Sequence, residues 1–187
     1  MSKSSPKPRA YLDTSVIMDV IKKENGLNVN KLRNINRNKS VVFRLPQPAL
    51  GEAINKLFWD PKRNEKRGHR SARGDADHDA SMRTFLELKE LVNLNKDIDK
   101  ESKENWVVDT VPVSPEALRK ANDLMSRDSH LEEQPTDALI VAVALVDADA
   151  RWLLTKDSLL IGNKAIKEIS EEMDRKLQVL TFSDFDR

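Results

Sequence analysis

Four acidic residues stand where this sequence could do chemistry: Asp13, Glu52, Asp137 and Asp157. Each lies in or beside apolar sequence. Tyr11-Leu12 precede Asp13, Ala49-Leu50 precede Glu52, Ala138-Leu139-Ile140 follow Asp137, and Leu153-Leu154 lead towards Asp157. Acids at the edge of a core are rarely left unpaired. Singly, each has an ordinary use. Asp13 can cap the helix after it, Asp137 suits the positive end of a helix dipole, Asp157 suits a turn, and Glu52 can be a solvated first-turn acid. Brought together, they would repel one another and their pKa values would rise unless a cation lay among them. Hard divalent cations take oxygen ligands, and Mg²⁺ commonly takes one or two carboxylates plus waters and phosphate. Beside a basic groove, a carboxylate site for Mg²⁺ or Mn²⁺ is suited to phosphodiester hydrolysis.

The basic partner for such a site is visible in the charge distribution. Overall net charge is only +1, but residues 31–73 hold twelve Lys/Arg against three Asp/Glu, a local +9. The rest of the chain is correspondingly acidic. Lys62, Arg63, Lys66, Arg67, Arg70 and Arg73, with His69 between them, form the densest part and are candidate contacts for the phosphates of a polyanion. Such contacts add salt-dependent affinity but little sequence information.

The elements that must position these residues alternate between strand and helix. Residues 10–13 form a short apolar stretch ending in Asp13, followed by helical periodicity at Val16, Ile17, Val20 and Ile21 that Asn25-Gly26 stops. Residues 41–45 predict a strand stopped by Pro46, and residues 49–59 a helix with Leu50, Ile54, Leu57 and Phe58 on one side. A helix follows over about 80–95. Residues 106–108 and 110–113 read as strand, and Ser114-Pro115-Glu116 opens a helix with Ser as N-cap. Pro135-Thr136-Asp137 opens another helix, apolar on nearly every side and therefore buried. Strands over 151–155 and 177–182 complete the pattern. Alternation of this kind predicts an α/β layer fold with a mostly parallel sheet, whose ligands bind at the carboxyl ends of the strands. Asp13 and Asp157 fall at such ends, and Glu52 and Asp137 fall early in adjoining helices. Residues 1–8 read as a flexible tail before one domain over 9–187, with mobile loops near 62–79 and 96–105.

Composition excludes several classes. With no cysteine, disulfide frameworks and thiolate zinc sites are ruled out, and an intracellular chain is the easier fit. The longest apolar run is residues 138–146, well short of the roughly 18 residues a membrane span needs. Asp75, Asp77 and Asp79 open like a calcium loop, but Ala80 and Leu86 stand where that loop needs Gly and Glu. His69, His78 and His130 show no zinc-type pairing, though His130 lies close enough before Asp137 to reach the site. Trp59, Trp106 and Trp152 are most simply packing residues, with base stacking a secondary role for Trp59.

The segments at 11–18 (YLDTSVIM), 48–54 (PALGEAI), 136–145 (TDALIVAVAL), 153–157 (LLTKD) and 179–185 (VLTFSDF) resemble the PIN-domain nucleases, and among these are most similar to the VapC-like toxin ribonucleases. The likeness runs through nearly the whole chain in order. It implies a three-layer α/β/α fold and Mg²⁺- or Mn²⁺-dependent endoribonuclease activity on single-stranded RNA. It implies metal-binding roles for Asp13, Glu52, Asp137 and Asp157. Ser15 takes a supporting role beside the first acid, and Thr14 is a weaker candidate of the same kind. If the toxin reading holds, a cytoplasmic homodimer and an antitoxin partner follow. The same four acids are compatible with a stand-alone RNA-processing nuclease, a nuclease cutting DNA, or a non-cleaving scaffold that binds RNA or protein. An aspartyl-phosphate mechanism at Asp13 would want a second acid close behind, where Thr14 and Ser15 stand.

Overall fold

The structure is a computed structural model that describes residues 6–58, 73–93 and 107–187. Its strands are β1 (Arg9–Leu12), β2 (Val42–Pro46), β3 (Val92–Asn93), β4 (Val108–Val111), β5 (Ala150–Leu154) and β6 (Gln178–Leu180). They form one sheet in the order β3-β4-β2-β1-β5-β6, and every pairing among the described residues is parallel. β1 is the centre. Ala10 lies opposite Phe43 of β2 and Trp152 of β5, and Leu12 lies opposite Leu154. Its last three residues are all buried, as a strand covered on both faces requires.

The helices are α1 (Thr14–Lys22), α2 (Val29–Lys39), α3 (Gln47–Phe58), α4 (Arg73–Leu91), α5 (Pro115–Arg127), α6 (Ser129–Glu133), α7 (Pro135–Val146), α8 (Lys164–Glu172) and α9 (Phe182–Asp186). The chain moves outward from β1 to β2 and β4, then returns past β1 to β5 and β6. Because parallel crossovers are right-handed, this reversal sends the two groups of helices to opposite faces of the sheet. In keeping with that, α1, α3 and α4 touch one another, and α5 packs on α6, α7 and α8. The fold is therefore α/β, an all-parallel sheet flanked by helices. The reversal also makes the carboxyl ends of β1 and β5 the switch point, where such sheets leave a crevice.

Local signals explain most boundaries. Asp13 caps α1, which ends where Lys23 turns left-handed (φ 59°). Ser114 caps α5 by accepting from the Ala117 amide, with Pro115 in the first turn, as the sequence predicts. The all-apolar helix is α7, whose Ala138 and residues 140–145 are buried. Two longer helices carry weaker signals. α2 has an Asn28 cap and only Leu32 and Ile35 buried, and α8 has an Asn163 cap with Ala165, Ile166 and Ile169 buried.

One stretch departs from expectation. The loop expected over 62–79 gives way to helix at Arg73, and the helix expected to reach residue 95 ends at Leu91. Leu88 and Leu91 are buried and anchor the C-terminal half, and helix propagates at small cost into a polar segment without proline. Val92 is buried and β-branched, and pairs opposite Val108 as a short edge strand instead. The rest of the 62–73 basic stretch, including His69, and the expected loop at 96–105 lie outside the described residues, as do Trp59 and Trp106. Pro8, expected in a flexible tail, accepts a hydrogen bond from the Val42 amide.

At the amino edge of the sheet, the Tyr11 hydroxyl donates to Asp147 (2.6 Å) and Arg9 pairs with Asp147 (2.7 Å) and Asp149 (3.0 Å). These contacts join β1 to the turn that opens β5. Burial pushes the Asp147 carboxyl up, but the bonds from Tyr11 and Arg9 outweigh it and hold its pKa below the usual carboxylate value. A depressed folded pKa stabilises the fold above the unfolded value and is lost as pH falls through the folded one. Asp147→Ala is expected to lose about 1–3 kcal/mol at neutral pH, because it strands a buried tyrosine hydroxyl. In thermal unfolding the gap between the two proteins should narrow as the pH drops below about 4, because the ionic part of the contact is lost while a protonated Asp147 still accepts from Tyr11. A gap that does not change with pH would reject the ionic clamp.

Candidate metal centre

The crevice at the switch point is built first by Asp13. Its amide donates to the Leu154 carbonyl (3.0 Å), which fixes the residue against the end of β5. The side chain is 5% exposed. One carboxylate oxygen accepts from the Thr14 amide (2.6 Å), and the other from the hydroxyls of Ser15 (2.7 Å) and Thr155 (2.8 Å). Asp13 thus does cap α1, but capping occupies one acceptor position. A carboxylate offers about four, so one remains after these three donors.

The loop after β5 is laced to the start of α1 by the same groups. The fully buried Thr155 hydroxyl, besides donating to Asp13, accepts from the Asp157 amide (3.0 Å). Ser15 Oγ accepts from the Lys156 amide (3.1 Å). The Lys156 ammonium reaches the buried Asp19 carboxylate at 3.0 Å, and Asn25 donates to that carboxylate from the turn beyond α1. Lys156 therefore neutralises Asp19 instead of the crevice acids.

Glu52 comes from α3, which follows β2 directly. One of its oxygens accepts from the Thr14 hydroxyl (2.7 Å) and the other pairs with Lys56 one turn on (2.6 Å). Asp137 comes from the first turn of α7, and α3 and α7 touch each other although they belong to opposite faces. Asp13, Glu52, Asp137 and Asp157 consequently line one open cleft of about 430 Å³, together with Ser15, Thr14, Lys56 and His130.

The electrostatics are uneven. Asp13 has three donors and Glu52 has two partners, while no hydrogen bond reaches the Asp137 carboxylate among the described residues. Burial and the charges of Asp13, Glu52 and Asp157 push the Asp137 pKa up to about 6, against a small opposing effect of His130. The helix dipole at α7 does not compensate for this. His130 Nε2 is buried without a hydrogen-bond partner and lies 3.5 Å from Asp157. His130, Asp137 and Asp157 each offer one ligand atom within 4.8 Å of the others.

The sequence-level candidates fare differently. The four acids and Ser15 meet in the cleft, and both Thr14 and Ser15 orient an acid through their hydroxyls. The RNA-contact candidates Lys62, Arg63, Lys66, Arg67 and Arg70 lie outside the described residues, and of Arg73 only the backbone, at the start of α4, is described. Trp152 packs edge-on against Phe185 (5.2 Å), in the role expected of it. Thr155 and Lys56 were not foreseen. Lys56 has a local signal, its four-residue offset from Glu52, whereas Thr155 acts across 142 positions in the chain.

The donors suit a divalent cation: hard carboxylate oxygens, of which Lys56 offsets only those of Glu52, and beside them an imidazole nitrogen with no hydrogen bond among the described residues. No protein-family model and no curated protein matches the sequence. Among solved structures the chain is similar to the crystal structure of VapBC2 from Rickettsia felis bound to a DNA fragment from their promoter. The match covers 91% of this chain and 98% of that one, at 15% identity and a TM-score of 0.46.

Because the Asp137 pKa is raised, its ionisation destabilises the metal-free fold. Stability is full below the unfolded value near 4 and falls as pH rises through about 6. In EDTA, Asp137→Asn should therefore melt above the wild type at about pH 8, by a few degrees, with the gap closing towards about pH 4. A gap independent of pH in a thermal-unfolding series would show that Asp137 does not carry this charge.

Proposed function

We propose that the cleft is the active site of a Mg²⁺- or Mn²⁺-dependent endoribonuclease acting on single-stranded RNA. The observation that carries the reading is the convergence of four carboxylates from four separate parts of the chain on one cleft, one of them with its pKa raised to about 6 by burial and by the other three. Natural folds rarely leave such charges together without a cation, and all four would hold it: Asp13, Glu52, Asp137 and Asp157. A divalent ion at such a site lowers the pKa of a bound water and stabilises the charge that builds on an attacked phosphate.

The chain's own part is orientation. Ser15 and Thr155 fix the rotamer of Asp13, and Thr14 fixes Glu52, so that the acids need little rearrangement during reaction. Lys56 stands at the cleft beside Glu52 and supplies a positive charge towards a phosphate backbone. Lys62, Arg63, Lys66, Arg67, Arg70 and Arg73 follow within a few residues of α3 and would extend that attraction along the RNA. The motifs shared with the VapC-like toxins support a toxin role, with an antitoxin that blocks the cleft and a homodimeric assembly. A labelled single-stranded RNA should be cut with Mn²⁺ and left intact with EDTA. Asp137→Asn should lower the rate about 100-fold or more while leaving the fold intact, because that side chain holds no hydrogen bond that the fold needs. Mn²⁺ at about 100 times its Kd should raise the Tm by about 5–10 °C. Binding without cutting, across several RNAs and both metals, would replace the nuclease with a non-cleaving RNA-binding scaffold.

A further inference from the structure

We infer that His130 is a direct ligand of the divalent ion through Nε2, and that this nitrogen makes the centre prefer Mn²⁺ and later transition ions over Mg²⁺. The inference rests on the metal-dependent reading above and adds to its carboxylates a donor of different chemistry. Three observations carry it.

The first is that Nε2 is buried and unsatisfied. Asp157 is 3.5 Å away, within ion-pair range of a protonated ring but with no hydrogen bond among the described residues, so nitrogen and carboxylate face each other unbonded. A buried polar atom without a partner needs an explanation, and an ion between the two groups supplies one. The second is the spacing. Ligand atoms of His130, Asp137 and Asp157 lie within 4.8 Å of one another, a span that one ion can bridge with bonds of roughly 2.0–2.2 Å after small side-chain shifts.

The third is that the ring is delivered by a rigid turn. Asp128 caps α6 by accepting from the Leu131 amide (3.0 Å), and its other oxygen accepts from Asn163 (3.2 Å), next to α8. The Gln134 amide donates to the His130 carbonyl (2.9 Å), and Leu131 is completely buried. α6 is thus pinned on both sides of His130 and runs straight into the turn that opens α7 and presents Asp137. Imidazole suits the transition ions beyond Mn²⁺ best; Mn²⁺, the weakest binder of that series, still accepts a nitrogen more readily than Mg²⁺, which keeps an oxygen shell. Carboxylates alone would hold either ion, so the nitrogen is what discriminates.

The test uses the full chain loaded with Mn²⁺ and electron spin-echo spectroscopy, which reads nitrogen coupled to the ion without reference to activity. Coupling that changes when histidine is isotopically labelled, and that disappears in His130→Gln, is the expected result. Calorimetric titration should show the Mn²⁺ Kd of His130→Gln rising about tenfold, with the Mg²⁺ Kd changing less than about threefold. Bound Mn²⁺ with no histidine coupling, or equal losses for both ions, would overturn the role of His130 and leave the carboxylate centre standing. Failure of the wild type to bind either ion would remove the metal-dependent reading as well. The wild-type spectrum decides the question even if the variant folds poorly.

Discussion

Gathering negative charge at the edge of an apolar core is the constraint on which this structure turns. Asp13, Glu52, Asp137 and Asp157 face one cleft at the ends of β1 and β5, where the medium screens them poorly. The protein deals with each differently. Asp13 is held in place by an amide and two hydroxyls, Glu52 by Thr14 and Lys56, and Asp157 is steadied through its amide by Thr155. Asp137 receives nothing among the described residues and is pushed towards protonation. That unevenness concentrates uncompensated negative charge at one side of the cleft, where Nε2 of His130 also lies.

The surrounding architecture can be understood as what keeps those charges together. The sheet reversal at β1 opens a crevice without any insertion. Hydroxyls at Ser15 and Thr155 bind the first turn of α1 to the loop after β5, and that of Thr14 binds the same turn to α3, so three elements from distant parts of the chain are joined. The Lys156–Asp19 pair removes a nearby ammonium that would otherwise neutralise the cleft. At the far edge, the contacts of Arg9 and Tyr11 with Asp147 fasten the same two strands. β1 and β5 are thereby tied at both ends, and the separation of Asp13 from Asp157 is set by strand register together with the hydrogen bonds of the loop after β5.

Much of this was legible in the chain order. Ser114-Pro115 and Pro135-Thr136-Asp137 announced α5 and α7 because caps and proline act within a turn of themselves. The strands at 9–12, 42–46 and 150–154 were clear because buried parallel strands are continuously apolar. α2 and α8 were harder, since α2 buries only two side chains and α8 four, one of them a serine, and each reads locally as a polar segment. The start of α4 was misplaced because charge composition resembles that of a loop, while the helix is anchored by Leu88 and Leu91 a dozen or more residues further on.

The sequence by itself determined the alternation of strand and helix, the parallel sheet and the identity of four acids near strand ends, because apolar periodicity, capping and the placement of acids beside apolar runs are local properties. Only the tertiary structure decided which groups share the cleft and how each is satisfied. Thr155 reaches Asp13 across 142 positions, Thr14 reaches Glu52 across 38, and His130 meets Asp157 only once α6 is pinned against α8. Hydrogen bonds and pKa shifts depend on distance and burial, and both arise when the strands take their order in the sheet.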